Sequence, residues 1–284
     1  MHRSDAGPIA RIATVLNSLQ PTERRVAEAI LQAPDEVVEL TAQQLADRVG
    51  VGRSSVIRAC QSFGYRGFPQ LRVALAGTLG QQEPALDYGQ GVVGRMRAEI
   101  DRVAQSLPQA VSMLDEEAVE RVVREVARAR RVLIVANGLS APIASDLSMR
   151  LTAVGRPAET VPDAIAQQIA ASGLASGDVC LVVSGSGANE SSLRAASAAR
   201  GSALIVALTS FAASALTALA DLSVVIAPAG VSFRDELEHT SRVAHAVFVE
   251  VFVGAVAHEL GDEGTRRVRD RVLGILSDNL ADDE

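Results

Sequence analysis

The hydrophobic positions of this chain of 284 residues follow two different rhythms. Up to about residue 76 they recur every three or four residues, the period of amphipathic helices. Ile9, Ile12, Ala13, Leu16 and Leu19 form one such stripe, and Pro21 with Thr22 breaks it and opens another, with Thr22 as the expected cap. Val26, Ala27, Ile30 and Leu31 make the second stripe, which Pro34 closes; Thr41 is expected to cap a third helix with Leu45, Ala46 and Val49 facing inward. From residue 131 the pattern becomes short continuous apolar runs, VLIVA, VCLVVS, ALIVALT and LSVVIA, separated by helical stretches. Such runs are strands buried on both faces, and their alternation with helices predicts a parallel sheet covered on both sides. The expected architecture is an all-α domain over residues 1–76, then an α/β three-layer doubly wound parallel-sheet domain over residues 95–284. Residues 77–94, rich in Gly and Gln, are the expected linker, with helices following at about 95–107 and 115–129.

Within the first domain the stretch from Gln44 to Arg58 has the spacing of a helix-turn-helix. Ala46 is small where two helices approach, Gly50 supplies the positive φ of a sharp turn, and Val51 and Val56 fill the gap between the helices. The second helix is expected to begin about Arg53, offering Arg53, Ser54, Ser55 and Arg58 near the end that enters the major groove in motifs of this kind. Arginine bonds guanine bidentately and serine meets bases or phosphates. Gln61 and Arg66 are either phosphate contacts or bystanders.

Composition narrows the options. With 48% hydrophobic and 21% charged residues, both halves can bury a core. All 27 basic residues are arginine, so Walker-A phosphate binding and lysine Schiff-base chemistry are excluded. Cys60 and Cys180 fall in different domains without metal-ligand spacing, so neither a disulfide nor a metal ion is expected. The net charge of -7 divides into +2 over residues 1–80, with nine Arg against seven acids, and -9 over the rest. The basic bias is therefore local to the domain proposed to meet DNA. The N-terminus lacks the apolar core of a signal peptide and no other stretch reads as a membrane span, so the expected location is the cytoplasm.

In a doubly wound sheet, ligands bind beyond the carboxyl ends of the strands. Here those ends run into Asn137-Gly138-Leu139-Ser140, into Ser184-Gly185-Ser186-Gly187-Ala188-Asn189-Glu190, and into Thr209-Ser210. Glycines admit a ligand close to the backbone, hydroxyls donate to oxygens, and the helix opening near Asn189 adds oriented N–H groups; together these make an uncharged phosphate cradle. A dinucleotide fingerprint is absent, because Ala136 stands where the first glycine would be, and no cofactor is expected.

These motifs carry a resemblance. Residues 19–72 resemble the N-terminal domain of RpiR-family bacterial regulators through Leu19, Glu23, Val26, Ala27, Ile30, Pro34, Leu45-Ala46, Gly50-Val51, Val56, Arg58 and the closing Gly64-Tyr65-x-Gly67-Phe68. The departure is Gly52, where the family has a capping serine. Residues 120–260 resemble the phosphosugar-binding SIS domain through Gly138, Ser140, Ser184-x-Ser186-Gly187, Ala207-Leu208-Thr209 and Ser241-Arg242. The resemblance implies a transcription regulator that binds an operator in double-stranded DNA and responds to a phosphorylated sugar, with Ser140, Ser184, Ser186 and Asn189 as phosphate ligands. Two departures, Ala136 for glycine and Asn189 for threonine or serine, point to a less common effector.

SIS domains also occur in isomerases, which need a base beside the substrate carbon. Glu236, Glu238, His239 and His245 share one late segment, but Glu238 and Arg242 are spaced as a surface ion pair and His245 and His258 as packing residues, so no catalytic residue is expected. The apolar stretch from Ala244 to Leu260 is denser than one surface helix requires; a buried helix accounts for it by default, and the contact of a homodimer or homotetramer is the favoured hypothesis, since paired helix-turn-helix domains read pseudo-palindromic sites.

Overall fold

The computed structural model describes residues 7–79, 88–89, 91–227 and 242–261, with residues 268, 270–275 and 277. The chain forms two compact units, one of Met1–Leu114, Ser210–Ser214 and Val225–Ala244, the other of Asp115–Thr209, Ala215–Val224 and His245–Glu284. Of the stretch read as a linker, residues 80–87 and 90 lie outside the described residues, as do Glu236, Glu238, His239 and Ser241.

The first unit is helical: α1 Pro8–Val15, a 3-10 turn Leu16–Ser18, α2 Pro21–Gln32, α3 Pro34–Glu39, α4 Ala42–Val49, α5 Arg53–Ser62, α6 Phe68–Leu79 and α7 Val92–Val111. Thr22 is not the cap of α2; Pro21 takes the first helical position, where its missing N–H costs nothing, and Gln20 precedes it. Pro34 likewise opens α3 rather than only ending α2. Thr41 does cap α4, accepting from Gln44 N while Gln44 Oε1 accepts from Thr41 N, a reciprocal capping box. Ile12, Leu16, Val26, Ile30, Leu31, Leu45, Val56, Leu71 and Leu75 fill one core in which none is more than 1% exposed. Phe211 joins that core, and the adjacent Ala212 N donates to Thr14 O at 3.0 Å.

The second unit begins with α8, Glu116–Arg128, capped by Asp115, whose carboxylate accepts from Ala118 N at 2.8 Å. There follow β1 Val132–Ala136, α9 Ala141–Ala153, β2 Glu159–Thr160, α10 Ala164–Ser172, β3 Val179–Val183, α11 Glu190–Ala199, β4 Leu204–Thr209, α12 Ala215–Leu219, β5 Leu222–Val225 and α13 Val243–Leu260. The sheet order is β2-β1-β3-β4-β5, with parallel pairing between β1 and β2, β1 and β3, and β3 and β4. Every residue of β1 and β3 is buried, as strands sandwiched between helices require. Two-residue β2 was too short to leave a pattern in the sequence. Arg156 is only 8% exposed; its guanidinium donates to Val126 O and Ala129 O, both at 2.7 Å, and so satisfies the carbonyls at the end of α8.

By length and composition α13 could cross a membrane. It also has a buried face of His245, Phe248, Val249, Phe252, Val253 and Val256, and ion pairs joining Glu250 to Arg150 of α9 and Glu259 to Arg128 of α8. These contacts make it a packed helix of its unit.

Candidate functional site

The helix-turn-helix is α4 and α5. Gly50 ends α4 at φ 66°, a left-handed conformation that a side chain would strain, and this lets Val51 N reach back to Ala46 O at 3.0 Å. Three residues later α5 begins from Gly52, which is extended and offers no side-chain cap. Val56, Ala59 and Cys60 are fully buried against the core. The opposite face exposes Arg53, Ser54, Ile57, Arg58 and Gln61, and Arg66 is exposed in the turn that follows.

Ser55 does not share that face. It is 6% exposed and its Oγ accepts from Arg58 Nη2 at 3.2 Å, because the helical period places residue 55 with Val56 and Ala59 rather than with Arg53 and Ser54. Glu23, on α2, was quoted in the sequence only as part of a motif; the structure sets its carboxylate 3.9 Å from Arg58 Nε and within 3.2 Å of the Ser62 hydroxyl. At the far end of α5, Tyr65 N donates to Cys60 O at 2.9 Å, and Phe68 packs in the core, which explains the closing Gly-Tyr-x-Gly-Phe motif. Burial pushes the Tyr65 phenol above its ordinary pKa, opposed by Arg11, whose guanidinium lies 5.5 Å from the ring centroid. Burial also pushes both Cys60 and Cys180 up to about 12, so neither is a nucleophile at neutral pH.

In the second unit the strand order reverses between β1 and β3, so the crevice beyond their carboxyl ends is the switch point where doubly wound sheets bind ligands. Ala136 pairs with Val183, so the loops Asn137–Ser140 and Ser184–Asn189 leave the sheet side by side. Gly185 N donates to Ser140 Oγ at 3.5 Å, joining the two loops directly. Thr209, fully buried at the end of β4, donates its hydroxyl to Gly185 O at 3.1 Å, so the third strand end supports the second loop.

The expected ligand groups are not equally available. Ser140 and Ser184 are each 4% exposed, and the Ser184 hydroxyl makes no hydrogen bond among the described residues. Ser186 Oγ accepts from Ala188 N at 3.3 Å and keeps its own proton to give. Gly187, at φ 63°, turns the loop into α11, and the first amides of that helix, at Glu190 and Ser191, have no intrahelical partner. Gly138 follows β1 in a 3-10 turn that hands the chain to α9.

Asn189 caps α11, its Oδ1 accepting from Ser192 N at 3.1 Å and from Ser192 Oγ at 3.3 Å, which leaves its amide hydrogens as donors. Asn137, by contrast, spends its amide on Gln167 Oε1 and Ser192 Oγ, so only its oxygen remains. Gln167 and Ser192 were not foreseen in the sequence as parts of this site. Among the described residues, no group of three His, Cys, Asp or Glu side chains could hold a metal ion.

A helix-turn-helix unit followed by a doubly wound α/β unit with a ligand-type crevice is the make-up of a transcription regulator. The chain belongs to the RpiR family of these regulators: the rpiR-family helix-turn-helix domain matches residues 7–82, and the SIS domain matches residues 125–247. A relative in Caldanaerobacter subterraneus, the HTH-type transcriptional regulator TTE0211, is 26% identical over 256 residues, 88% of this chain and 90% of that protein. The regulator HexR of Pseudomonas aeruginosa is 29% identical over 196 residues, 68% of this chain and 69% of that protein. Among solved structures, Vibrio vulnificus NanR complexed with ManNAc-6P has a TM-score of 0.60 at 23% identity, covering 97% of this chain and 100% of that one, a likeness of fold.

Proposed function

We propose that this regulator binds its operator through the exposed face of α5, and that a phosphorylated sugar seated on the loops after β1 and β3 changes its affinity for that operator. The observation that carries the second half is the switch-point crevice, where two Ser/Gly loops meet at Ser140 and Gly185 and the Ser184 hydroxyl makes no hydrogen bond among the described residues. Ser140, Ser184, Ser186 and Asn189 supply neutral donors, and the N-terminal amides of α11 add their dipole. NanR, a regulator of similar fold, has been solved with a sugar phosphate.

On this reading the chain is a sensor rather than an isomerase, and its setting is the cytoplasm. The sugar must bind the DNA-competent and DNA-incompetent states unequally, since equal affinity shifts nothing. Val247 and Val251, one turn apart on α13 and 38% and 63% exposed, are the proposed seam for a second copy, because paired helix-turn-helix domains read two-fold sites.

A thermal-shift panel of aldose and ketose phosphates tests the crevice. A binder raises the midpoint by mass action, by the equivalent of about 2.7 kcal/mol at a hundred times its Kd. The S184A/S186A protein should melt normally and lose that rise; a double variant that keeps it would place the effector elsewhere. Turnover of any member of the panel would overturn the sensor reading.

A further inference from the structure

The recognition helix carries an arginine that is held from below. Arg58 is 60% exposed in its side chain, whereas the Glu23 side chain facing it is only 12% exposed. An acid so far from water needs compensation. Among the described residues it finds two partners, the Ser62 hydroxyl at 3.2 Å and the Arg58 Nε at 3.9 Å. Arg58 Nη2 meanwhile donates to Ser55 Oγ at 3.2 Å, and Ser55 is itself buried on the inner face of α5. The guanidinium is thus fixed along its Nε side by one buried anion from α2 and one buried hydroxyl from its own helix. Among the described residues both Nη1 hydrogens and one on Nη2 make no hydrogen bond, and they form the paired set that a base edge with two acceptors would take.

We propose that Glu23 is a positioning residue for sequence readout: it orients Arg58 toward a guanine-type base edge and so sets discrimination without touching DNA. This rests on the assignment of α5 as the operator-reading helix. Electrostatics and positioning make opposite predictions for removal of the charge. A carboxylate beside a DNA-binding surface repels phosphate, so as a mere charge its loss strengthens binding to any duplex. As a positioning group its loss frees the Arg58 rotamers and weakens only the specific complex.

The experiment selects a preferred duplex from a random-sequence pool with the full chain. Affinities for that duplex and for a scrambled duplex of equal length are then measured at two salt concentrations. For E23Q, which keeps the hydrogen bond from Ser62, the ratio of specific to scrambled affinity should fall roughly tenfold, within the discrimination worth of one bidentate contact. Scrambled affinity should stay level or rise. In the R58A background, E23Q should lower the ratio no further.

If R58A loses discrimination and E23Q keeps it, the proposal fails while the assignment of α5 stands. An R58A protein with undiminished discrimination overturns that assignment, and the proposal with it. Equal weakening of both duplexes by E23Q would mark Glu23 as a packing residue only and also overturn the proposal. Should E23Q not fold, S62A carries the test. It removes the hydroxyl that anchors Glu23 and should produce a smaller drop in the same ratio, and no drop would count against the proposal.

Discussion

Asn137 Nδ2 lies 2.9 Å from Gln167 Oε1, which ties the loop after β1 to a glutamine that is itself fully buried. Gln167 in turn gives its amide to Ala136 O at 3.0 Å and Val161 O at 2.7 Å, while Asn137 also reaches Ser192 Oγ at 3.0 Å. Ser192 passes its hydroxyl on to Asn189, the cap of α11. The result is a closed polar lattice beneath the crevice, joining the end of β1 to α10 and α11. Replacing Gln167 with leucine takes the side-chain donor from the carbonyls of Ala136 and Val161 and one of two acceptors from the Asn137 amide. The expected cost is about 2–4 kcal/mol, since each orphaned group costs about 1–3 kcal/mol and the site partly relaxes. Urea unfolding measures this, and a midpoint shift worth under about 0.5 kcal/mol, the level of an ordinary surface change, would show that the lattice is dispensable.

Asn189 caps α11 and is proposed as an effector ligand, two roles that substitution can separate. As a helix cap it contributes about 1 kcal/mol, so N189A should destabilise by about that amount. N189D keeps the capping oxygen and places a negative charge where the α11 dipole favours it, so its stability should match or exceed wild type. That same charge would repel a phosphate at the adjacent Ser184–Gly187 loop. The expected outcome is a well-folded N189D protein that shows no midpoint rise with any sugar phosphate to which wild type responds. A normal rise would remove Asn189 from the effector site.

The different readability of these features has physical causes. Strands β1, β3 and β4 were legible because burial on both faces writes an unbroken apolar run, and the Ser/Gly loops because glycines and hydroxyls cluster directly after those runs. The lattice was not legible, since its bonds join residues 30 and 55 positions apart and no local pattern encodes such a pairing. Ser55 was misplaced although the information was present. Val56, Ala59, Cys60 and Phe63 mark the inner stripe of α5, and residue 55 adjoins it, but the motif drew attention to residue type over helical phase. Glu23 illustrates the converse: its sequence position aligns it with a family motif, and only the packing of α2 on α5 shows what its charge faces.

Gly52 is the one departure in the helix-turn-helix motif and provides a test with a stabilising sign. It sits at φ -76° and ψ 149°, a conformation any residue adopts, and a Cβ built there would come no nearer than 3.6 Å to Ser54 Oγ. Serine at this position can therefore enter without strain and cap the free amides at the start of α5. G52S should gain a few tenths of a kcal/mol, the usual margin of serine over glycine at an N-cap. Destabilisation measured by thermal or urea unfolding would show that the missing cap is compensated in some other way.

The ion pair between Arg130 and Asp178 makes the second unit sensitive to acid. Asp178 has a fully buried side chain at the amino end of β3, bonded by Arg130 Nε at 2.9 Å and Nη2 at 2.8 Å and by Ala175 N at 2.9 Å. The hydrogen bonds from Arg130 are the main reason its pKa lies at about 2 rather than the ordinary 3.8, outweighing the opposing effect of burial. Because the folded state holds the ionised form more strongly than the unfolded chain does, the stabilisation is complete above pH 4 and drains away as pH falls toward 2. The shift corresponds to about 1–2 kcal/mol once solvent screening at the largely exposed Arg130 side chain is allowed for. D178N removes the titrating group but keeps an oxygen for Ala175 N. Its stability deficit should be full at pH 7, narrow below pH 4 and close near pH 2, as read from urea midpoints along a pH series. A deficit that stays constant across that series would show that Asp178 contributes by packing and hydrogen bonding alone, with no linkage to its charge.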